Sequence, residues 1–257
     1  MRRFRGRGGG PGYSFRDEFD GPAGAPPDPA RWSYDLGDGG WGNGELQEYT
    51  DSPVNAFQDG RSHLVIRATR ESRPGSGDVY RSARITTRDK FWQLGGIIEA
   101  RIKVDSRRGL WPAFWLMGRN HGEDGWPACG EVDVMEDFGY RTAAASLHAP
   151  AGDGGGLHSA SSDLACDPGW HVYRLRWHPE GMTVSADGRP FLRVGRDFCP
   201  APSWVFGPDQ PNNGGMFLLL NLAIGGNVGV PPPDTCFPVD LMIDYVRVTG
   251  PIPAGPA

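Results

Sequence analysis

Three acidic side chains, Glu131, Asp133 and Glu136, lie close together in the middle of the chain, where residues 130–136 read Gly-Glu-Val-Asp-Val-Met-Glu. The alternation of acids with valines is typical of a β-strand, whose successive side chains point to opposite faces, so Glu131 and Asp133 share one face. Glu136 falls out of this alternation and would be costly to bury as a lone carboxylate among apolar residues. One extra residue at Met135, forming a β-bulge, would return Glu136 to the acidic face.

A row of three carboxyl groups suits the cleavage of a glycosidic bond. One glutamate can attack the anomeric carbon while a second, kept protonated, gives its proton to the leaving oxygen. An aspartate between them can hold or share a proton and so separate the two pKa values. The same residues could instead form an acidic outer strand face or a calcium site. Trp111, Trp115 and Trp126 lie just upstream and favour sugar cleavage, because tryptophan offers a large apolar face to a sugar ring.

The elements that must hold this row are predicted to be strands. The 39 glycines and 24 prolines among 257 residues punctuate short apolar segments, a pattern typical of many short strands joined by turns. Residues 96–104, 170–177 and 217–222 are examples of such strands, and Asp187-Gly188 indicates a hairpin turn. An all-β enzyme of this length is commonly one domain.

Residues 130–136 resemble the E-x-D-x-x-E signature of glycoside hydrolase family 16, in its laminarinase-like branch, and the resemblance extends over residues 13–249. Further matching stretches are residues 17–20, 42–47, 82–87, 109–115, 221–227 and 243–248. The resemblance implies an all-β, concanavalin A-like jelly-roll sandwich of two antiparallel sheets with a concave substrate cleft. It also implies a single catalytic domain and retaining endo-hydrolysis of β-1,3-glucosidic bonds in laminarin-type glucans.

The resemblance assigns Glu131 as the nucleophile, Glu136 as the general acid/base and Asp133 as the assisting acid. The substrate-binding residues that it implies are Asn43, Arg84, Trp111, Trp115 and His148. Each of these has a plainer interpretation from the sequence alone. Asn43 could belong to a surface turn, Arg84 could be a solvated strand residue, the tryptophans could be core residues and the histidine could be structural.

The same resemblance implies a structural calcium site on the convex side. Its side-chain ligands would be Glu18 and Asp244, and backbone carbonyl groups would supply the remaining ligands. The alternative is that both are ordinary polar strand residues. No cofactor is expected to be required for catalysis. The four cysteines, Cys129, Cys166, Cys199 and Cys236, lack the close paired spacing of a zinc site, and three complete disulfide pairings are open to them.

Charge and hydropathy limit the partners. A net charge of −5 with no basic block beyond the first residues argues against nucleic acid, and no apolar run is long enough to span a membrane. We expect a polysaccharide substrate and a monomeric protein. Residues 1–12 are predicted to be a flexible basic tail rich in glycine and arginine, and residues 250–257 a tail rich in proline and glycine. The first tail lacks the apolar segment of a secretory signal, whereas the resemblance implies secretion.

Several alternatives stay open at this level. The sequence Val228-Gly229-Val230 follows Asn227, where many laminarinase-like proteins continue with a tryptophan, and this difference bears on substrate preference. A mixed-linkage β-1,3/1,4-glucanase or a transglycosylase would use the same acids. A non-catalytic β-glucan-binding module is a different class of function, but a protein that only binds has no need of all three acids.

Overall fold

The structure is a computed structural model that describes residues 13–73, 75, 77–151, 157–198, 206–207 and 215–250. The predicted tail at residues 1–12, and all of the predicted tail 250–257 except Gly250, lie outside the described residues. None of the helices among the described residues is long and apolar enough to cross a membrane.

Short strands make up most of the described chain. They are β1 (Tyr13–Asp17), β2 (Ser33–Tyr34), β3 (Gln47–Tyr49), β4 (Ala56–Gln58), β5 (Leu64–Arg73), β6 (Gly77–Ser82), β7 (Arg84–Thr86), β8 (Gly96–Val104), β9 (Leu110–Gly118), β10 (Glu131–Glu136), β11 (Thr142–Pro150), β12 (Leu157–Ala165), β13 (Trp170–His178), β14 (Gly181–Ala186), β15 (Arg189–Gly195), β16 (Met216–Ile224) and β17 (Val239–Thr249). A one-turn helix, α1, spans His121–Asp124, and 3-10 turns occur at Gly40–Gly42, Arg196–Phe198 and Gly226–Val228.

Within the described residues the strands form two sheets, one of ten strands and one of seven. The larger sheet has the order β15-β14-β13-β8-β17-β5-β6-β3, with β1 beside β17 and β4 beside β5. The smaller sheet has the order β12-β11-β10-β9-β16-β7-β2. The predicted jelly-roll sandwich is confirmed, with one departure from its purely antiparallel sheets, since β3 and β6 run parallel.

The core lies between the two sheets, because alternate residues of each strand point inward. In β8, for example, Ile98 and Ala100 are fully buried in the core, while their neighbours Ile97, Glu99 and Arg101 are partly exposed. The predicted hairpin turn is also confirmed. Asp187 and Gly188 join β14 to β15 with φ angles of 49° and 78°, the positive values that a tight hairpin turn requires.

The seven-stranded sheet is also apolar on its other side. A second buried cluster lies on this side and is separate from the main core; its members are Ala113, Trp115, Met117, Cys129, Phe217 and Leu219. We call this side of the sheet the cleft face. Because the cleft face carries buried apolar side chains as well as polar ones, β16 is buried along its whole length, as predicted for its continuous apolar run.

Candidate active site

A β-bulge in β10 brings the three predicted catalytic acids to the cleft face. Asp133 pairs with Trp115 of β9 and Met135 pairs with the next residue, Phe114, so Val134 is the extra residue. The predicted bulge is therefore confirmed, but its extra residue is Val134 rather than Met135. Val134 and Met135 both enter the core, and Glu136 is free to point to the opposite face.

Strand pairing aligns the acids with side chains of the neighbouring strands. Glu131 lies opposite Met117 and Asp133 opposite Trp115, both members of the cleft-face cluster. On the far side of β10, Glu131 lies opposite His148 of β11. The sheet thus holds the acids in the middle of a continuous surface, with β9 on one side and β11 on the other.

Glu136 has the environment of a general acid. Its side chain is buried, and its Oε1 accepts a 2.7 Å hydrogen bond from Nε1 of Trp111. Burial raises the pKa of Glu136 to about 7, with a further rise from the charge of Glu131, while the hydrogen bond from Trp111 lowers it. A carboxyl group with this pKa is still protonated at mildly acidic pH and can give up its proton during a reaction near neutrality.

A hydrogen bond joins the side chains of Asp133 and Glu131. Burial raises the pKa of Asp133 well above its ordinary value, and the charges of Glu136 and Glu131 raise it further. Burial also raises the pKa of Glu131, but hydrogen bonds from Asp133 and Trp126 oppose that rise. The protonated form of Asp133 therefore donates to Glu131, which leaves Glu131 as the member of the pair best able to ionise and attack.

His148 contacts the central acid, whereas its role in substrate binding, which the resemblance implied, stays a prediction. Its Nε2 lies 3.2 Å from Oδ2 of Asp133, and its Nδ1 lies 2.8 Å from Oγ of Ser159. Burial lowers the pKa of His148, so the ring is neutral at neutral pH and interacts with Asp133 by hydrogen bonding.

Among the described residues, Glu131, Asp133 and His148 form the one group of side chains that could hold a metal ion. Ligand atoms of Glu131, Asp133 and His148 lie within 4.8 Å of one another. Burial holds a proton on Asp133, however, and a protonated carboxyl group is a poor metal ligand. A cation at this site would therefore have to displace that proton.

The two predicted stacking tryptophans have different environments. Both lie on β9, but Trp115 is only 9% exposed, and its Nε1 donates a 2.7 Å hydrogen bond to Oδ1 of Asn221. Cζ of Arg84 lies 4.7 Å from the Trp115 ring centroid and 5.1 Å from that of Trp41. The sequence had suggested two open platforms for sugar rings. The guanidinium group of Arg84 lies over the ring of Trp115, and the role of the two tryptophans in sugar binding stays a prediction.

Arg84 reaches the cleft face but is already paired. Its Nε lies 3.0 Å from Oδ2 of Asp35, and both side chains are largely buried. Asn43, in contrast, is exposed and donates a 2.9 Å hydrogen bond to Oε1 of Glu45. In the described part of the chain Asn43 makes no hydrogen bond or ion pair with the three acids, so its predicted role in sugar binding stays a prediction.

A hydrogen-bond network links the indole N–H of Trp115 to side chains of β16 and β3. Asn221, which accepts from Trp115, donates a 3.0 Å hydrogen bond to the hydroxyl of Tyr49, and that hydroxyl lies 3.3 Å from Oε2 of Glu45. Nε2 of Gln47 donates to the same Glu45 oxygen at 2.6 Å. The sequence comparison had picked out the stretches that contain Glu45, Gln47 and Asn221, but only the fold brings β3 beside β16.

The two predicted calcium ligands are both paired with arginine. Glu18 makes hydrogen bonds of 2.8 Å with Nε and Nη2 of Arg247 and of 2.6 Å with Nε of Arg16. Oδ2 of Asp244 lies 2.7 Å from Nη1 of Arg101. Three guanidinium groups around two carboxylates leave no negative charge for a cation, so these side chains do not fit a calcium ion bound by both of them.

The described cysteines are unpaired. Cys129, Cys166 and Cys236 are free, so the structure contains no disulfide among these three, and Cys199 lies outside the described residues. Cys129 is buried on the cleft face with its Sγ 3.4 Å from Sδ of Met117. Burial raises the pKa of the Cys129 thiol to about 12, so it is a packed residue and not a nucleophile.

A two-sheet β-sandwich with a row of two glutamates and an aspartate on one sheet face is the arrangement of a glycoside-cleaving enzyme. Comparison with known proteins agrees with this class. Residues 45–213 match the model of glycosyl hydrolases family 16. The chain belongs to this family and is a glycoside hydrolase.

Three relatives illustrate the match. The chain is 35% identical over 254 residues to a beta-glucanase from Rhodothermus marinus, covering 91% of this chain and 83% of that protein. It is 31% identical over 258 residues to glucan endo-1,3-beta-glucosidase A1 from Niallia circulans, covering 91% of this chain but only 37% of that longer protein. The crystal structure of the laminarinase catalytic domain from Thermotoga maritima superposes with a TM-score of 0.79 at 34% identity, covering 93% of this chain and 98% of that one.

Proposed function

We propose that the protein hydrolyses internal β-1,3-glucosidic bonds of laminarin-type glucans with retention of anomeric configuration. The names of the relatives from Rhodothermus marinus, Niallia circulans and Thermotoga maritima support the substrate class. The observation that carries the chemistry is the pairing of two unlike glutamates on one sheet face. Glu136 is buried with a pKa of about 7, whereas Glu131 receives hydrogen bonds that favour its ionised form.

In the first step the carboxylate of Glu131 attacks the anomeric carbon of the bound glucan. A bond forms between that carbon and a Glu131 oxygen while the glycosidic bond breaks, and Glu136 gives its proton to the departing oxygen. The reducing-end fragment leaves as a neutral alcohol. Glu136 is then ionised, and the indole N–H of Trp111 stabilises that charge through its hydrogen bond.

In the second step Glu136 acts as a base. It removes a proton from a water molecule, the water oxygen bonds to the anomeric carbon, and the bond to Glu131 breaks. Glu131 returns to a carboxylate and Glu136 to a carboxylic acid. Two displacements at the same carbon restore its original configuration.

Asp133 and His148 act through Glu131. When Glu131 carries negative charge, Asp133 donates a hydrogen bond to it, and this bond weakens once Glu131 is bonded to the sugar. The contact of His148 with the other side of Asp133 holds that carboxyl group in place. We assign both as positioning residues.

A panel of four polysaccharides tests this function. Reducing-sugar release from laminarin, lichenan, agarose and carrageenan should be highest on laminarin and weaker on lichenan, with short oligosaccharides of mixed length as the products. Activity on the galactans alone would contradict the proposal. Products longer than the starting oligosaccharides would favour transglycosylation, and binding of laminarin without any cleavage would favour the glucan-binding module.

We further propose that the protein acts outside the cell as a monomer. Polymeric glucans do not cross cell membranes, which supports a site of action outside the cell. Size-exclusion chromatography with light scattering should give the mass of a single 27.9 kDa chain, and a dimer mass would contradict this part of the proposal.

A further inference from the structure

The outer face of the ten-stranded sheet carries more cations than acids. In β8, β13 and β17 the positions between the buried core residues point away from the core to this face. The cations at these positions, and at the equivalent ones of β1, β15 and the part of β5 that pairs with β17, are Arg16, Arg67, Arg101, Lys103, Arg174, Arg176, Arg193 and Arg247. The acids are Glu99, Asp240 and Asp244, with Glu18 directly after β1. The face is therefore positive, whereas the whole chain has a net charge of −5.

Three of these cations are free of intramolecular partners in the described part of the chain. Lys103, Arg176 and Arg193 are exposed and make no hydrogen bond, ion pair or ring contact with a described residue. Each acid of the face, in contrast, is already paired with one or two of the other cations: Glu99 with Arg174, Asp240 with Arg67, Asp244 with Arg101, and Glu18 with Arg16 and Arg247. The positive charge of the three exposed side chains is therefore available to a ligand.

Two of the unpaired cations lie side by side at one edge of this face. Thr183 of β14 pairs with Arg176 of β13 on one side and with Arg193 of β15 on the other. The two arginines are therefore at the same level of the sheet and two strand spacings apart, about 10 Å. Both point away from the core, because their neighbours along each strand are buried. The edge thus offers two separate guanidinium groups to one ligand.

A row of arginines continues from this edge across the sheet. Arg174, two residues before Arg176, lies opposite Glu99 of β8. Glu99 in turn lies opposite Arg247 of β17, and Arg247 pairs with Arg16 of β1. From β15 to β1 the row crosses five strand spacings, about 24 Å. A positive strip of this length fits an extended polymer better than a small anion.

The spacing of the cations favours one class of anionic polymer. Double-stranded DNA carries one charge per ~1.7 Å of its axis, and Glu99 in the middle of the row would repel so dense a backbone. Membrane surfaces are bound through buried apolar side chains as well as charge, and none of the exposed large apolar side chains in the described residues belongs to a strand of this sheet. An extended polyuronate carries a single carboxylate on each sugar ring, so its charges are sparse like those of the row.

We propose that the outer face of the ten-stranded sheet binds a carboxylated polysaccharide, with Arg176 and Arg193 as the main contacts. A guanidinium group donates two parallel hydrogen bonds to a carboxylate, which is the strongest pairing open to these side chains. The ion pairs further along the row are partly exposed and therefore weak, so Arg174 and Arg247 can share their N–H groups with the polymer. This surface lies on the opposite side of the sandwich from the cleft face, and the inference does not depend on the proposed function.

Biolayer interferometry on alginate, a 1,4-linked polyuronate immobilised through its reducing end, tests this inference. With EDTA present at low ionic strength the protein should bind, and sodium chloride should weaken binding because it screens exposed charges. Arg176→Glu and Arg193→Glu should each raise Kd about tenfold, since each replaces a charged hydrogen bond with a repulsion. A saturating laminari-oligosaccharide should not displace the protein from alginate, and both variants should keep kcat/KM on laminarin within about twofold.

Arg141→Glu is the matched control, because it makes the same change of charge outside the face. Arg141 is exposed, lies just before β11 of the seven-stranded sheet, and has no ion pair with a described residue. Its substitution should leave Kd for alginate within about twofold.

Several results would overturn the inference. They are an equal loss of binding in Arg141→Glu, no binding of alginate by the unmodified protein, displacement by the laminari-oligosaccharide, and tighter binding to vesicles of phosphatidylglycerol than to alginate. The last result would make the face a membrane-binding surface. A protein that binds alginate as expected but does not cleave laminarin would refute the proposed function and leave this inference standing.

Discussion

The carboxyl group of Glu136 lies almost entirely out of water, and its described hydrogen-bond donor is the indole of Trp111. Burial penalises the charged form, so the folded-state pKa of about 7 is above the ordinary 4.5. The stability contributed by the protonated group is complete below about pH 4.5 and is lost as pH rises through about 7. Proton donation to the leaving group is lost over the same upper range. The burial that gives Glu136 its catalytic pKa therefore also lowers the free energy of unfolding in neutral solution.

Replacing Trp111 with phenylalanine should move the alkaline limb of the pH profile. The indole N–H stabilises ionised Glu136, so its removal in Trp111→Phe raises the pKa of Glu136 further and shifts the fall in kcat/KM to higher pH. The turnover number should fall about tenfold, because the carboxylate left after proton transfer loses a charge-assisted hydrogen bond. Initial rates on laminarin between pH 5 and about 9 measure both effects.

The control for this variant is Trp170→Phe. Trp170 lies at the start of β13 in the other sheet, stacked on His63 and under Arg101. It should leave the alkaline limb in place. A Trp111→Phe profile that keeps its alkaline limb, or moves it to lower pH, would contradict the assignment of Glu136 as the acid.

At the scale of single strands, the sequence predicted the catalytic element better than its surroundings. Alternation of acids and valines predicted β10, and the cost of burying Glu136 predicted its bulge. The position of the extra residue could not be predicted, because Val134 and Met135 are both apolar and both fit the core. Strand pairing with β9 decides between them.

The sequence predicted less about the contacts of the substrate-binding residues. Strand alternation places Trp111 and Trp115, which are four residues apart on β9, on the same face of the sheet. It could not predict that Arg84 would cover one ring or that Glu136 would bind the other, because those partners come from β7 and β10. The side chains of Tyr49 and Asn221 meet only after β3 and β16 are in place. Contacts of this kind follow from topology, and the periodicity of single segments does not report them.

At the scale of the whole molecule, cross-strand ion pairs cover the outer face of the ten-stranded sheet. Arg67 pairs with Asp240, Arg174 with Glu99 and Arg101 with Asp244. These side chains are partly exposed, so each pair is worth little by itself. Arginine partners also neutralise the two carboxylates that the predicted calcium ion would need, because Asp244 pairs with Arg101 and Glu18 pairs with Arg247.

Removal of divalent cations should therefore leave the melting temperature unchanged. In differential scanning fluorimetry, excess EDTA should shift the melting temperature by less than ~1 °C, since an ion stabilises a protein only when it binds the folded state. Added calcium should have no larger effect, and added magnesium serves as its control. If EDTA lowers the melting temperature, and calcium but not magnesium restores it, the calcium site that the sequence suggested would be established.

The central claim, that Glu131 is the nucleophile and Glu136 the acid/base, is tested most directly by azide rescue. Glu131→Ala and Glu136→Ala should each lose most of their turnover, and azide should restore it on a substrate whose leaving group needs no acid. In Glu131→Ala, azide takes the place of the nucleophile, attacks the anomeric carbon once and gives an α-glycosyl azide. In Glu136→Ala, azide intercepts the glycosyl-enzyme and gives the β-azide. Proton NMR of the anomeric position distinguishes the two products, and a β-azide from Glu131→Ala would show that the two roles are reversed.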